Sequence, residues 1–269
     1  VKTLVTGAGG QLGRALLRRL GGAGVGLPHA ELPIEDAAAV ARALDAHRPD
    51  RVVNAAAYTQ VDRAESEPGI AFAANRDGAA HVARACAARG IRLVHLSTDY
   101  VFDGTRPSWR EDDPTGPLNV YGRSKLAGEQ AVLDAHPGAL VVRTSWLFSR
   151  DGANFVTTML RLARQRPVLR VVADQRGCPT HADDLARALL ALEATGVVHF
   201  AGDGPTTWHG FATAIFAAAR LEVTIEPIAT SDYPTPARRP MSSVLDTSRA
   251  RALGVVPAPW LDGLRACLT

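Results

Sequence analysis

The stretch Thr3-Leu4-Val5-Thr6-Gly7-Ala8-Gly9-Gly10-Gln11-Leu12-Gly13 decides the fold of this 269-residue chain. Its first four residues form a short apolar strand, and the helical pattern Arg14 to Leu20 follows the last glycine. Gly7, Gly10 and Gly13 stand three apart. Between a strand and a helix, such glycines permit a tight turn, the close approach of a pyrophosphate, and close helix–sheet packing. The helix N-terminus then faces the phosphates, where its N–H groups and dipole favour an anion. The stretch predicts a dinucleotide site.

Working outward, strand and helix patterns alternate. Gly24 to Leu27 reads as the second strand, and Glu35-Asp36 opens a helix from Ala37 to His47 as favourable N-terminal charge. No carboxylate stands directly at the end of that second strand, at Leu27; Glu31, Glu35 and Asp36 follow nearby. Arg51 to Ala57 is a third strand ending in the small residues Ala55, Ala56 and Ala57, past which a flat ring can run close to the backbone. A helix from Ile70 to Arg89 carries Asn75, open between a solvated polar residue and a bonding link behind the site. Ile91 to Leu96 is the fourth strand, ending in Ser97-Thr98-Asp99-Tyr100, and Ala139 to Trp146 is the last of the nucleotide lobe. This alternation predicts an α/β fold, a Rossmann-like doubly wound parallel sheet with ligands at the C-terminal ends of its strands.

Hydrophobic residues make up 46% and charged residues 21%, an ordinary globular composition, and the net charge is only +3. Without a run of like charges, a nucleic-acid partner is not expected. Cys86, Cys178 and Cys267 are scattered and lack metal-ligand spacing, as in reduced thiols of a cytoplasmic protein; no metal is expected. Neither a signal peptide nor a membrane span is expected.

Chemistry is carried by Tyr121 and Lys125, four apart and so on one face of a helix. An ammonium beside a phenol favours the phenolate, predicting a lowered Tyr121 pKa and a usable proton donor, with spare ammonium donors for a cofactor ribose. Thr98, at a strand end 23 positions before Tyr121, completes a hydroxyl, phenol and ammonium set suited to carbonyl reduction. After the fifth strand the texture changes to glycine, proline and short elements, with helices from Ala182 to Glu193 and Trp208 to Arg220 packing a smaller C-terminal α/β substrate lobe. The expected division is 1–149 for the dinucleotide and 150–269 for the substrate, with elements free to cross between the lobes. Three prolines exclude regular structure from Tyr233 to Pro240, where Arg238 and Arg239 read equally as solvated charge or as a clamp on a diphosphate.

Eight stretches, in one order, resemble the extended short-chain dehydrogenases/reductases and, within them, the dTDP-4-dehydrorhamnose reductase family. They are VTGAGGQLG (5–13), VVNAAAYTQVDRAESEP (52–68), STDYVFDGT (97–105), PLNVYGRSKLAGE (117–129), RTSWLF (143–148), DQRGCPT (174–180), TTWHGFA (206–212) and YPTPARRP (233–240). The resemblance implies NADPH- or NADH-dependent reduction of the 4-keto group of a dTDP-sugar, dTDP-4-dehydro-β-L-rhamnose, in dTDP-rhamnose biosynthesis. Thr98, Tyr121 and Lys125 are then the catalytic set. The cofactor site takes in Gly7, Gly10, Gln11, Leu12, Gly13, Ala55, Ala56, Ala57, Tyr58 and Asn75, with Tyr121 and Lys125. The substrate site takes in Thr98, Asp99, Tyr100, Trp146, Trp208, Arg238 and Arg239. The enzyme is expected to work as a monomer or homodimer.

Three positions depart from the family's pattern. Pro33 replaces an acid after the second strand, Ala15 replaces an acid that joins a magnesium-bridged dimer in some members, and Ser242 replaces an asparagine after Arg239-Pro240-Met241. Two other readings share the fold: a 4-keto reductase for another dTDP-deoxysugar, and a non-catalytic NADP-binding regulatory subunit like the beta subunit of methionine adenosyltransferase.

Overall fold

The computed structural model describes residues 1–268. The first half runs β1 (Thr3–Thr6), α1 (Gln11–Leu20), β2 (Gly24–Leu27), α2 (Ala37–His47), β3 (Arg51–Asn54), α3 (Val61–Ala64), α4 (Pro68–Phe72), α5 (Ala79–Ala87), β4 (Arg92–Thr98), α6 (Val120–Ala135) and β5 (Leu140–Thr144). Then come β6 (Leu147–Phe148), α7 (Phe155–Ala163), β7 (Val168–Val172), β8 (Arg176–Gly177), β9 (Thr180–His181), α8 (Ala182–Ala191) and β10 (Gly196–His199). The chain ends with β11 (Thr206–Thr207), α9 (Trp208–Ala219), β12 (Thr224–Ile228), α10 (Ser248–Ala252) and α11 (Trp260–Leu268).

Six parallel strands form the main sheet in the order β10-β5-β4-β3-β1-β2. Side chains alternate along each strand, so Leu4, Val52, Leu93 and Val141 enter a core under α2 and α5, while Val5, Val53, Val94 and Val142 enter another. That second core is closed by Leu12, Ala15 and Leu16 of α1 and by Leu185 and Leu189 of α8. Both faces of the sheet are covered, as its near-continuous apolar strands require.

The doubly wound α/β sheet agrees with the sequence reading, but its far edge does not. β5 is not the edge, because β10 pairs beside it, and α8 packs on α1 rather than within the smaller lobe. The chain crosses back to the nucleotide side after residue 150. The smaller lobe is built on Phe148, Phe211, Ile215, Phe216 and Leu264, with β7 and β12 paired above them. The fifth strand also stops early: Trp146 sits at φ +45°, a left-handed turn that ends pairing at Thr144. The helix expected from Ile70 begins at Pro68, a residue suited to a first helical turn, and opens into a π turn over Ala73–Gly78. No helix among the described residues is long and apolar enough to cross a membrane.

Candidate active site

A cavity of about 1030 Å³ lies along the C-terminal ends of β1, β3, β4 and β5. Its glycine end shows why the turn needs those residues. Gly7 has φ +63°, and a Cβ there would stand 2.7 Å from Ala56 Cα; one on Gly13 would stand 2.6 Å from both Ala8 Cα and Gly7 O. These are backbone atoms that cannot step aside. By contrast, Gly9 meets nothing closer than 3.9 Å, so the loop is open on its cavity side. The Gly10 N–H donates to Gly7 O at 3.0 Å, no side chain caps α1, and its first turn opens on the cavity. This is a cradle of the shape and polarity that a dinucleotide pyrophosphate requires.

At the other end, Thr98 finishes β4 and Tyr121 stands in the first turn of α6. Asn119 caps that helix, its Oδ1 accepting from Gly122 N at 2.7 Å, and Glu65 Oε1 accepts from Val120 N at 2.7 Å. The start of α6 is thereby fixed from two sides. One turn on, Lys125 Nζ donates to Leu96 O of β4 at 2.6 Å. Thr98, Asp99, Tyr121 and Lys125 all line the cavity, together with Gly7, Gly10, Gln11, Leu12, Gly13, Ala55, Ala56, Ala57 and Tyr58. Asn75 proves to be a bonding link: its Oδ1 accepts from Tyr58 N at 2.9 Å, and its Nδ2 donates to Ser124 Oγ at 2.9 Å and Tyr58 O at 3.0 Å. It ties the segment after β3 to the back of α6.

Electrostatics correct one expectation. Burial pushes Tyr121 up to about 12, a hydrogen bond with Thr98 opposing the rise and the Asp99 charge adding to it. Burial pulls Lys125 down to about 8, against the raising influence of Glu129. The ammonium does not lower the phenol's pKa, because it is spent on Leu96 O and desolvation outweighs it. The chemical consequence favours reduction: Tyr121 holds its proton throughout the neutral range. Asp99, buried against them, is pushed up to about 7 by desolvation, opposed by hydrogen bonds from Ser243 and Thr98.

The residues expected at the substrate are divided between two cavities. Trp146 and Trp208 both line the cavity and stack with ring centroids 3.5 Å apart at 5°. Gln175 Oε1 fixes the pair by accepting from Trp208 Nε1 at 3.2 Å. Tyr100 does not line this cavity; it stands behind Tyr121, ring edge to face at 5.9 Å. Nor do Arg238 and Arg239, which line a second cavity of about 660 Å³ with Asp103, Thr105 and Tyr233. Arg239 is engaged in a fork with Asp62, Nη1 to Oδ1 at 2.6 Å and Nη2 to Oδ2 at 2.7 Å, while Arg238 is exposed.

Several lining residues escaped the sequence reading. Arg14, Glu35 and the segment Asp151–Asn154 all border the cavity. Glu35 faces His29 at 3.4 Å, so a carboxylate does stand near the second strand, beyond the positions a strand-end search covers first. Gln11 Oε1 accepts from Ser149 Oγ at 2.9 Å and Asn154 Nδ2 at 3.0 Å, tying the glycine turn to a loop from the far side of the cleft. That pairing joins residues 138 and 143 positions apart and leaves no local signal.

A family model for the RmlD substrate binding domain matches residues 1–269. dTDP-4-dehydrorhamnose reductase of Streptomyces griseus is 46% identical over 281 residues, covering 99% of this chain and 91% of that one. The enzyme of the same name from Aggregatibacter actinomycetemcomitans is 40% identical over 285 residues, covering 98% and 97%. Among solved structures, dTDP-4-dehydrorhamnose reductase from Bacillus anthracis in complex with NADP superposes with a TM-score of 0.95 at 38% identity, covering 98% and 97% of the two chains. Thermus thermophilus UDP-glucose 4-epimerase in complex with NAD, at 22% identity and a TM-score of 0.84, shares the fold.

Proposed function

From the premise that the chain belongs to the RmlD family of dTDP-4-dehydrorhamnose reductases, we infer that it reduces the 4-keto group of dTDP-4-dehydro-β-L-rhamnose with NADPH or NADH, forming dTDP-L-rhamnose. The observation that carries this reading is the convergence of Thr98, Tyr121 and Lys125 on one cavity that also contains the glycine turn. When bound, the cofactor supplies a hydride to the ketone carbon. Tyr121 gives its proton to the oxygen on which negative charge develops, and its high pKa keeps that proton available. Thr98 offers the same oxygen a hydroxyl donor, aimed where charge appears rather than where it begins. Lys125, held by Leu96 O, turns its remaining N–H groups toward the cavity and the cofactor ribose.

The first turn of α1, with Gly7, Gly10, Gln11, Leu12 and Gly13, holds the pyrophosphate, while Ala55 to Tyr58 flank the cofactor and Asn75 steadies them. The stacked pair Trp146 and Trp208 walls the sugar side. Arg239 serves the loop from Tyr233 to Pro240 through Asp62, which leaves Arg238 as the arginine free for the diphosphate. In this reading residues 1–149 chiefly serve the cofactor and 150–269 the substrate, with α8 and β10 returned to the first part. The three cysteines are free and buried, which suits a reducing cytoplasm. Product analysis with the 4-keto sugar nucleotide tests the proposal; no consumption of reduced cofactor refutes it.

A further inference from the structure

Thr98 has one hydroxyl proton, and Asp99 takes it. In the structure its hydroxyl donates to Asp99 Oδ1 at 3.0 Å while its Oγ1 accepts from Tyr100 N at 3.2 Å. Thr98 also stands close enough to Tyr121 to oppose the rise of its pKa. A threonine hydroxyl donates once and accepts twice. With its proton committed to Asp99, Thr98 has nothing to donate to a substrate oxygen, and its remaining lone pair is open to the nearby Tyr121 hydroxyl. Asp99 is only 2% exposed, and its Oδ2 is buried without a hydrogen-bond partner; Ser243, Thr98 and the backbone N–H groups of Asp99 and Tyr100 favour its charge, but burial outweighs them. A buried carboxyl so poorly paired is easily protonated.

Resting on the reductase reading, we propose that Asp99 is a positioning residue that decides where the single Thr98 proton goes. Ionised, it takes that proton in a hydrogen bond. Protonated, it donates to Thr98 Oγ1, fills the remaining lone pair, and turns the Thr98 proton out to the substrate oxygen. The same change frees Tyr121 to donate directly to that oxygen. The protonated form is therefore the one that reduces the ketone, and the carboxyl acts as a switch built behind the hydroxyl.

The surroundings place this switch near neutrality. Asp99 is faced by Tyr100 on its own turn, by Tyr121 from α6 and by Cys178 between β8 and β9, and burial raises the pKa of each, keeping all three uncharged. Arg239 faces Tyr100 rather than the carboxyl. Asp99 itself titrates at about 7. Since the active form carries the proton, activity is present below that pH and lost as pH rises through it.

Single-turnover oxidation of NADPH by the 4-keto sugar nucleotide, followed from below to above neutrality, tests the switch. The parent rate should fall as pH rises past about 7. Asp99→Asn cannot ionise, and Thr98→Val lacks the hydroxyl through which Asp99 acts while keeping the side-chain volume. Both should lose that fall, any decline left in them having its midpoint at a higher pH than the parent's. In the Thr98→Val background, adding Asp99→Asn should slow the reaction no further. A merely structural aspartate would lower the rate without moving the pH profile. A parent that turns over with a flat profile, or a fall that keeps the parent's midpoint in either variant, overturns the inference. A parent inactive at every pH overturns the reductase reading and this inference with it.

Discussion

Arg239 and Asp62 join the loop from Tyr233 to Pro240 to α3, and removing either should loosen the substrate side. The fork makes two charge-assisted bonds at 2.6 and 2.7 Å, and Asp62 Oδ1 also accepts from Ala237 N at 3.1 Å. Hydrogen bonds to charged groups are worth about 1.5–3 kcal/mol. The Arg239 side chain is 19% exposed and that of Asp62 41%, so solvent screening reduces the pair to about 1–2 kcal/mol. For a chain of this size that corresponds to roughly 2–6 °C in Tm for Arg239→Ala. The assay is a double-mutant cycle with Asp62→Asn, read by thermal unfolding and by KM for the sugar nucleotide. Each single variant should lower Tm and raise KM, and the double should cost little more than the worse single. Strict additivity within about 0.3 kcal/mol would mean that the fork contributes nothing to either property, and the reasoning would fail.

Other expectations follow from the same geometry. Tyr121→Phe should leave NADPH affinity near that of the parent and slow turnover by about a hundredfold or more, because only the proton is deleted; near-normal turnover would remove Tyr121 from its role. Gly13→Ala forces a methyl to 2.6 Å from fixed backbone, so NADPH binding measured by protein fluorescence should weaken, at an overpacking cost of about 1–3 kcal/mol; unchanged affinity would contradict the cradle. With Arg14, His29 and Glu35 all bordering the cavity, opposite charges offset one another, and NADH and NADPH should differ in kcat/KM by less than about a hundredfold. A larger preference would show that one of these groups dominates.

What was legible in the sequence is what short-range geometry enforces. The spacing of Gly7, Gly10 and Gly13 between a strand and a helix admits few conformations, and the structure has the turn where that spacing puts it. A separation of four places Tyr121 and Lys125 on one face of any helix, and α6 does so. The doubly wound sheet followed from strand and helix alternation for the same reason. Long-range pairing was hidden. Arg239 and Asp62 lie 177 positions apart, and nothing near Arg239 reveals that its charge is already taken. The return of β10 to the main sheet depends on which edge is left uncovered, a property of the assembled core. The Tyr121 pKa was misjudged because it depends on burial, and two residues on one helix face do not disclose how much water reaches them. Asp99 looked like one more substrate contact until its second oxygen was found buried and poorly paired.

The central claim is reduction at carbon 4 of a dTDP-sugar, and it is tested most directly by one coupled measurement. The chain is incubated with dTDP-4-dehydro-β-L-rhamnose and NADPH, cofactor oxidation is followed by absorbance, and the product is identified by NMR. One dTDP-L-rhamnose should form for each NADPH consumed. Absence of oxidation, or a product with the opposite configuration at carbon 4, would contradict the account.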